Sequence, residues 1–240
     1  SILNESFNKE NNIVDSMIYI LPNNTILYSN TNSSNFKNYV YLNNLNDSIG
    51  KKLSNFFTYE IGRFLIENSQ SNSISEVIII KEKNNYVYEK YDSIEYKGNK
   101  ILNIEDKLIN DFLSKINYEI DEEIYIYKNK EYVFISTDIF AIKEYINKVI
   151  NKEFWSREII FNDFKGELNN SQNITLIFQL DKLSKNLNLK SKESLNYLGL
   201  SSIQLTSVDD KFYTSINIKE KQKESGLKVN DKKENIFSSK

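Results

Sequence analysis

Histidine is the usual proton carrier and transition-metal ligand, and cysteine supplies thiolate chemistry; this 240-residue chain contains neither. Ser–His–Asp and Cys–His mechanisms therefore cannot operate on it alone. Disulfides, cysteine-based zinc sites and iron–sulfur centres are excluded too. Carboxylates remain. Asp121-Glu122-Glu123 offers the oxygen ligands that Ca²⁺ takes. It lacks the alternating Asp/Asn, central Gly and terminal Glu of an EF-hand loop, and a solvated acidic loop explains it better. Asp209-Asp210 falls at a hairpin tip, where Asp serves turn geometry. Nothing in the linear order selects a carboxylate pair for glycosidase-type hydrolysis. The glycines (50, 62, 98, 166, 199 and 226) form neither Gly-x-Gly-x-x-Gly nor a P-loop, so nucleotide phosphates have no cradle. The expectation is no enzyme, no catalytic residue, no metal and no cofactor.

Aromatic residues are the better candidates for binding. Tyr125 and Tyr127 alternate with Ile124 and Ile126, which sets the two tyrosines on one strand face, and Tyr132 follows on the next strand. If that face is open, the tyrosine row is an interaction surface; if a following helix covers it, the row is core. Trp155, the only tryptophan, stands near Arg157 and has the composition of a binding hot spot. Packing between two helices is the favoured reading for it. Tyr125, Tyr127, Tyr132 and Trp155 form the candidate interaction surface.

These residues need elements to hold them. Residues 17–21 read as a strand, 22–24 as a turn around the sole proline, and 25–29 as a second strand pairing with the first. Ser34 can cap a helix to residue 45 with Phe36, Tyr39 and Val40 on one face, and Gly50 interrupts the pattern. Residues 59–67 suit either a helix or a strand. The β-branched run at 76–81 reads as a buried strand, and 86–88 continues the theme. Residues 94–104 form a hairpin with Gly98 in the turn, and 105–115 a helix. The clearest unit is the hairpin 123–136, followed by a helix over 139–150 capped by Ser136, Thr137 or Asp138. A helix over 157–168 with Ile160, Phe161, Phe164 and Leu168 inward comes next. A strand over 173–180, a short helix capped by Asp181 and a hairpin over 201–218 close the pattern.

Hydrophobic residues make up 40% of the chain, enough for a packed core, and the aromatic content of 13% favours sheet. No βαβ repeat or solenoid period is visible, so the fold class is α+β: an antiparallel sheet built from hairpins with helices packed on it. The expected organisation is a flexible segment at 1–16, a globular region at 17–218, and a polar tail or linker at 219–240. A division of the globular region into two subdomains near 115–122 is left open. Net charge is −2, with 31 basic and 33 acidic residues interleaved, so nucleic acid is not an expected partner. No apolar run approaches the roughly 20 residues that span a bilayer, so no membrane insertion by this segment is expected. The chain opens at Ser1 without a signal-peptide pattern and reads as a piece of a longer protein.

Four segments carry a resemblance. The first is 17–35, with Ile20-Leu21-Pro22-Asn23-Asn24-Thr25. The second is Tyr132-Val133-Phe134-Ile135-Ser136-Thr137 and the helix running to Asn147. The third is Phe161-Asn162-Asp163-Phe164 leading to Asn173-Ile174-Thr175-Leu176-Ile177-Phe178, and the last is Phe212-Tyr213-Thr214-Ser215-Ile216. Together these segments resemble uncharacterised extracytoplasmic bacterial proteins of the Bacteroidetes type, a domain-of-unknown-function family with α+β domains. The stretch from Lys81 to Ile94 is shorter than the resemblance leads one to expect, which leaves strand pairing there open. The resemblance brings no catalytic motif. It implies an extracytoplasmic domain, in the periplasm or on the cell surface, within a longer protein.

The functional expectation is a non-enzymatic cell-envelope domain acting in protein–protein interaction or scaffolding, its partner another protein or the rest of its own chain. The alternative is an extracytoplasmic sensor domain that binds a small ligand. That alternative requires a concave, mostly apolar pocket of at least about 300 Å³.

Overall fold

A computed structural model of the chain describes residues 15–32, 47–69, 73–116, 118, 123–168, 173–186, 198–208 and 211–220. Their strands are β1 (Thr25–Asn32), β2 (Phe57–Glu67), β3 (Ile74–Glu82), β4 (Lys90–Tyr96), β5 (Asn99–Glu105), β6 (Ile124–Asn129), β7 (Tyr132–Ser136), β8 (Ile174–Gln179), β9 (Leu198–Val208) and β10 (Lys211–Glu220). The helices are α1 (Asp47–Leu53), α2 (Lys107–Lys115), α3 (Ile139–Asn151), α4 (Ile159–Lys165) and α5 (Leu180–Asn186). The fold is α+β. One ten-stranded sheet runs β10-β9-β8-β1-β2-β3-β7-β6-β5-β4. Every neighbouring pair is antiparallel.

The sheet has a core on each face, and strand periodicity divides the residues between them. On the first face Tyr28, Phe64, Val77, Ile79, Tyr125, Tyr127 and Phe134 pack beneath α3 and α4, which supply Ile142, Tyr145, Phe161 and Phe164. On the second face Ile78, Ile80, Ile126, Val133 and Ile135 pack beneath α1 and α2, which supply Leu53, Ile109, Phe112 and Leu113. This explains the unbroken run Val77-Ile78-Ile79-Ile80. All of these side chains are buried, two on each face, because helices cover both sides. Such a run is usual in parallel sheets; here double coverage, not strand direction, demands it.

Helix α3 begins at Asp138, whose carboxylate accepts from Phe140 N–H at 2.8 Å, and ends at Lys152 in the left-handed conformation. Helix α2 is capped by Asp106, which accepts from Ile109 N–H at 3.1 Å. The β4–β5 turn places Lys97 (φ 51°) and Gly98 (φ 74°) in the left-handed region that a tight hairpin requires. Gly62 answers a different need. A Cβ there would come within 2.6 Å of Ile79 Cγ2 and 3.0 Å of Met17 Sδ, so only glycine lets the 3-10 turn at Met17–Ile20 lie against the sheet.

Several elements differ from the expectation. Residues 17–21 are not a strand. Met17–Ile20 is a 3-10 turn, and its backbone groups are satisfied by tertiary contacts rather than a ladder. Asp15 accepts from Met17 N–H at 3.1 Å, while Ser156 Oγ donates to Tyr19 O and Trp155 N–H to Leu21 O. Strand β1 accordingly pairs with β2 and β8. The ambiguous stretch at 59–67 is strand, held by ladders on both sides. Gly50 lies inside α1 rather than breaking a helix. Residues 86–88 carry no strand; Tyr86 and Tyr88 instead bury their rings edge to face at 5.1 Å. The helix over 157–168 is interrupted at Glu158, whose extended backbone separates a 3-10 turn at Trp155–Arg157 from α4. Within α4, which ends at Lys165, Phe161 and Phe164 are buried as expected and Ile160 is exposed. The proposed helix over 34–45 lies outside the described residues.

Candidate functional site

Tyr125, Tyr127, Tyr132 and Trp155 do come together, but in the first-face core. Trp155 is wholly buried and stacks on Phe161 at 5.9 Å. The Tyr127 ring lies 6.2 Å from Tyr145, which lies 4.0 Å from Phe134. The expected aromatic surface is therefore interior. Helix α3 covers the tyrosine face and α2 covers the isoleucine face, so neither side of that hairpin is open. The hydroxyls reach the rim of the core instead. Tyr125 donates to the exposed Glu123 carboxylate, Tyr127 to Asn99 Oδ1 at 3.1 Å, and Tyr132 to Ser16 Oγ at 2.8 Å. Glu123 also accepts from Asn103 Nδ2 at 3.0 Å. Asp121, Glu122, Asp209 and Asp210 lie outside the described residues.

The same face holds a polar cluster that no motif announced. Asp15 and Ser16, placed in the expected flexible segment, lie against β1 and β2. Tyr28 O–H is 2.9 Å from both oxygens of Asp15, and the Asn30 side chain is a further hydrogen-bonding partner of that carboxylate. Ser16 donates its N–H and its hydroxyl to Glu60 at 3.3 and 3.4 Å. Both carboxylates are buried. Burial raises Asp15 above its ordinary value, with the hydrogen bonds opposing. Burial raises Glu60 to about 7, the Asp15 charge adds to the effect, and Lys81 opposes it. Glu60 can thus exchange a proton near neutrality. It sits beneath residues 15–17 rather than in an open cleft, so the arrangement fastens that segment to the sheet. The signal was weak in sequence: Asp15, Asn30 and Glu60 are far apart and of common types.

The described surface offers one contrast with a functional bearing, between the two edges of the sheet. Strand β4, at one edge, exposes Lys90, Asp92 and Glu95 along its length. Such charges guard an edge against pairing with another chain. Strand β10, at the other edge, is ten residues long, and 213–218 carries no charge. Tyr213 (56%), Ile216 (62%) and Ile218 (57%) are exposed there. Ile216 lies opposite Ile203, and Ile203 opposite Leu176, so an apolar row crosses β10, β9 and β8 on the second face. On the first face Asn217 Nδ2 donates to Glu167 O at 3.2 Å and Lys219 pairs with the Glu167 carboxylate, which anchors the strand beside the end of α4. The hairpin was legible in sequence; its place at an edge was not.

Among the described residues no group of three or more Asp and Glu side chains could hold a metal ion. No helix among them is long and apolar enough to cross a membrane.

No protein-family model matches the chain. No curated protein matches it. Among solved structures it is similar to TP0453 in several crystal forms. Form IV aligns with a TM-score of 0.47 and 12% identity, covering 84% of this chain and 79% of that one. Form I gives 0.44 and 12%, covering 84% and 77%.

Proposed function

We propose that this chain is a non-enzymatic interaction domain of the cell envelope that engages another protein chain through the β10 edge of its sheet. One observation supports this reading above the others: among the described strands β10 lies at an edge, its stretch 213–218 carries no charge and exposes Tyr213, Ile216 and Ile218, while the opposite edge strand exposes Lys90, Asp92 and Glu95. An unpaired edge presents free N–H and C=O groups to an incoming strand, and the exposed side chains add apolar area. The extracytoplasmic assignment rests on the family resemblance, and fractionation of the source cells tests it. The interaction is tested by replacing Tyr213 with a photoreactive phenylalanine analogue and irradiating intact cells. A discrete cross-linked protein band is expected. Cross-links confined to an equivalent probe at Ile159 on α4, also exposed, would refute the edge as the contact.

A further inference from the structure

We infer that residues 15–18 are a proton-held latch: while the Asp15–Glu60 pair keeps one proton the segment stays closed on the sheet, and loss of that proton lets it swing out on the pinned stretch 19–23 with the rest of the fold intact. The two ends of the segment are anchored differently. At 19–23 the bonds are between neutral groups. Ser156 Oγ donates to Tyr19 O at 2.9 Å, Trp155 N–H to Leu21 O at 3.0 Å, and Asn23 N–H to Glu153 O at 3.1 Å. At 15–18 the polar contacts run through two carboxylates. Asp15 accepts from Met17 N–H at 3.1 Å and from Tyr28 O–H at 2.9 Å, with Ile18 N–H and the Asn30 side chain as further partners. Glu60 receives the N–H and hydroxyl of Ser16 at a longer 3.3 and 3.4 Å.

Asp15 and Ser16 are chain neighbours, so these contacts bring two buried carboxylates close together. A dry interior does not readily hold both ionised. The groups facing the pair are Tyr28 on β1, Lys81 on β3 and Tyr132 on β7. Among these only Lys81 is a cation, and its ammonium is shared with Glu131 at 3.4 Å. Asp15, with more and shorter hydrogen bonds, is the better host for the charge, and Glu60 keeps the proton up to about pH 7. Departure of residues 15–18 hydrates Glu60 and carries Asp15 away from it, so ionisation favours the open form. Met17 and Ile18 are buried and oppose it, which keeps the open form a minority whose population pH sets. With Glu60 at its ordinary 4.5 when open and about 7 when closed, the opening equilibrium rises about 30-fold from pH 5.5 to pH 8.5. Opening uncovers the strip across β1, β2 and β3 at Tyr28, Gly62 and Ile79 on which Met17 rests.

The chain has no cysteine, so Met17→Cys reports the latch without background. The thiol-labelling rate of the native protein, divided by that of the denatured protein at the same pH, gives the opening equilibrium and cancels the thiol's own titration. The expected result is an opening about 30-fold more populated at pH 8.5 than at pH 5.5 and insensitive to dilute urea. Ala141→Cys, buried on α3 in the same core, should be more protected and urea-sensitive, because it reacts only through global unfolding. Glu60→Gln added to Met17→Cys should abolish the pH dependence; Ile18→Cys replaces Met17→Cys if that variant does not fold. Equal protection and equal urea dependence at positions 17 and 141 would overturn a local latch. A flat pH profile at position 17, or one that Glu60→Gln leaves unchanged, would overturn the proton linkage.

Discussion

Ser16 donates its backbone N–H and its hydroxyl to the one carboxylate of Glu60, joining the start of the described chain to the second strand of the sheet. The groups around this contact are Asp15 beside it, Tyr28 on β1, Lys81 on β3 and Tyr132 on β7. Glu60 titrates near 7 in the folded protein against an ordinary 4.5, so the folded state binds its proton more tightly than the unfolded state does. Its contribution is fully present below about pH 4.5 and is lost as pH rises through 7. Asp15 is shifted in the same direction. The chain has no histidine to obscure that window. Thermal midpoints should therefore fall between pH 5 and pH 8, a loss of up to roughly 3 kcal/mol from Glu60. Glu60→Gln, neutral throughout, should flatten the slope and exceed wild type at pH 8. Identical slopes for the two proteins would remove Glu60 as the cause.

Gly62 tests the seating of the same segment. Alanine there drives a Cβ into Ile79 and against Met17 and Tyr28. Overpacking of this kind costs about 1–3 kcal/mol, and urea denaturation should show a lowered midpoint with an unchanged slope. A midpoint equal to wild type would mean that the 3-10 turn yields at little cost.

The single tryptophan makes its own burial measurable. Trp155 is wholly enclosed and stacked on Phe161. Native emission should be blue-shifted and insensitive to iodide, and unfolding should shift it red. Trp155→Ala should destabilise by about 3–5 kcal/mol through lost contact and the cavity left behind. Strong iodide quenching of the native protein would contradict this placement.

Asp106 unites three donors: the Ile109 N–H of the helix cap, the Tyr86 hydroxyl and the Glu89 N–H. Asp106→Ala removes the cap and leaves the Tyr86 hydroxyl unpaired in the interior, at a cost of about 2 kcal/mol. Tyr86→Phe removes one donor and should cost less. Combined, the two substitutions should cost less than the sum of the singles, since both break one contact; strict additivity would show that the residues act independently.

The sequence by itself determined the elements whose cause is local. The hairpins at 94–104 and 123–136 follow from alternation and from residues able to turn, and α2 and α3 from apolar spacing, while the structure decided that Asp106 and Asp138 cap them. The α+β class followed from these elements, and the lack of histidine and cysteine restricted the available chemistry. Tertiary structure decided what depends on neighbours. Alternation at Tyr125 and Tyr127 predicts that the tyrosines share a face, but not that a helix covers it, because coverage is a property of the layer above. The strand over 57–67 exists because two ladders hold it, whereas 17–20 curls into a turn because Asp15, Ser156 and Trp155 satisfy its backbone. Asp15 and Glu60 gained their character from burial beside each other. Strand β10 became an edge through the order of the sheet, since the same alternating pattern in a central strand would have had neighbours on both sides.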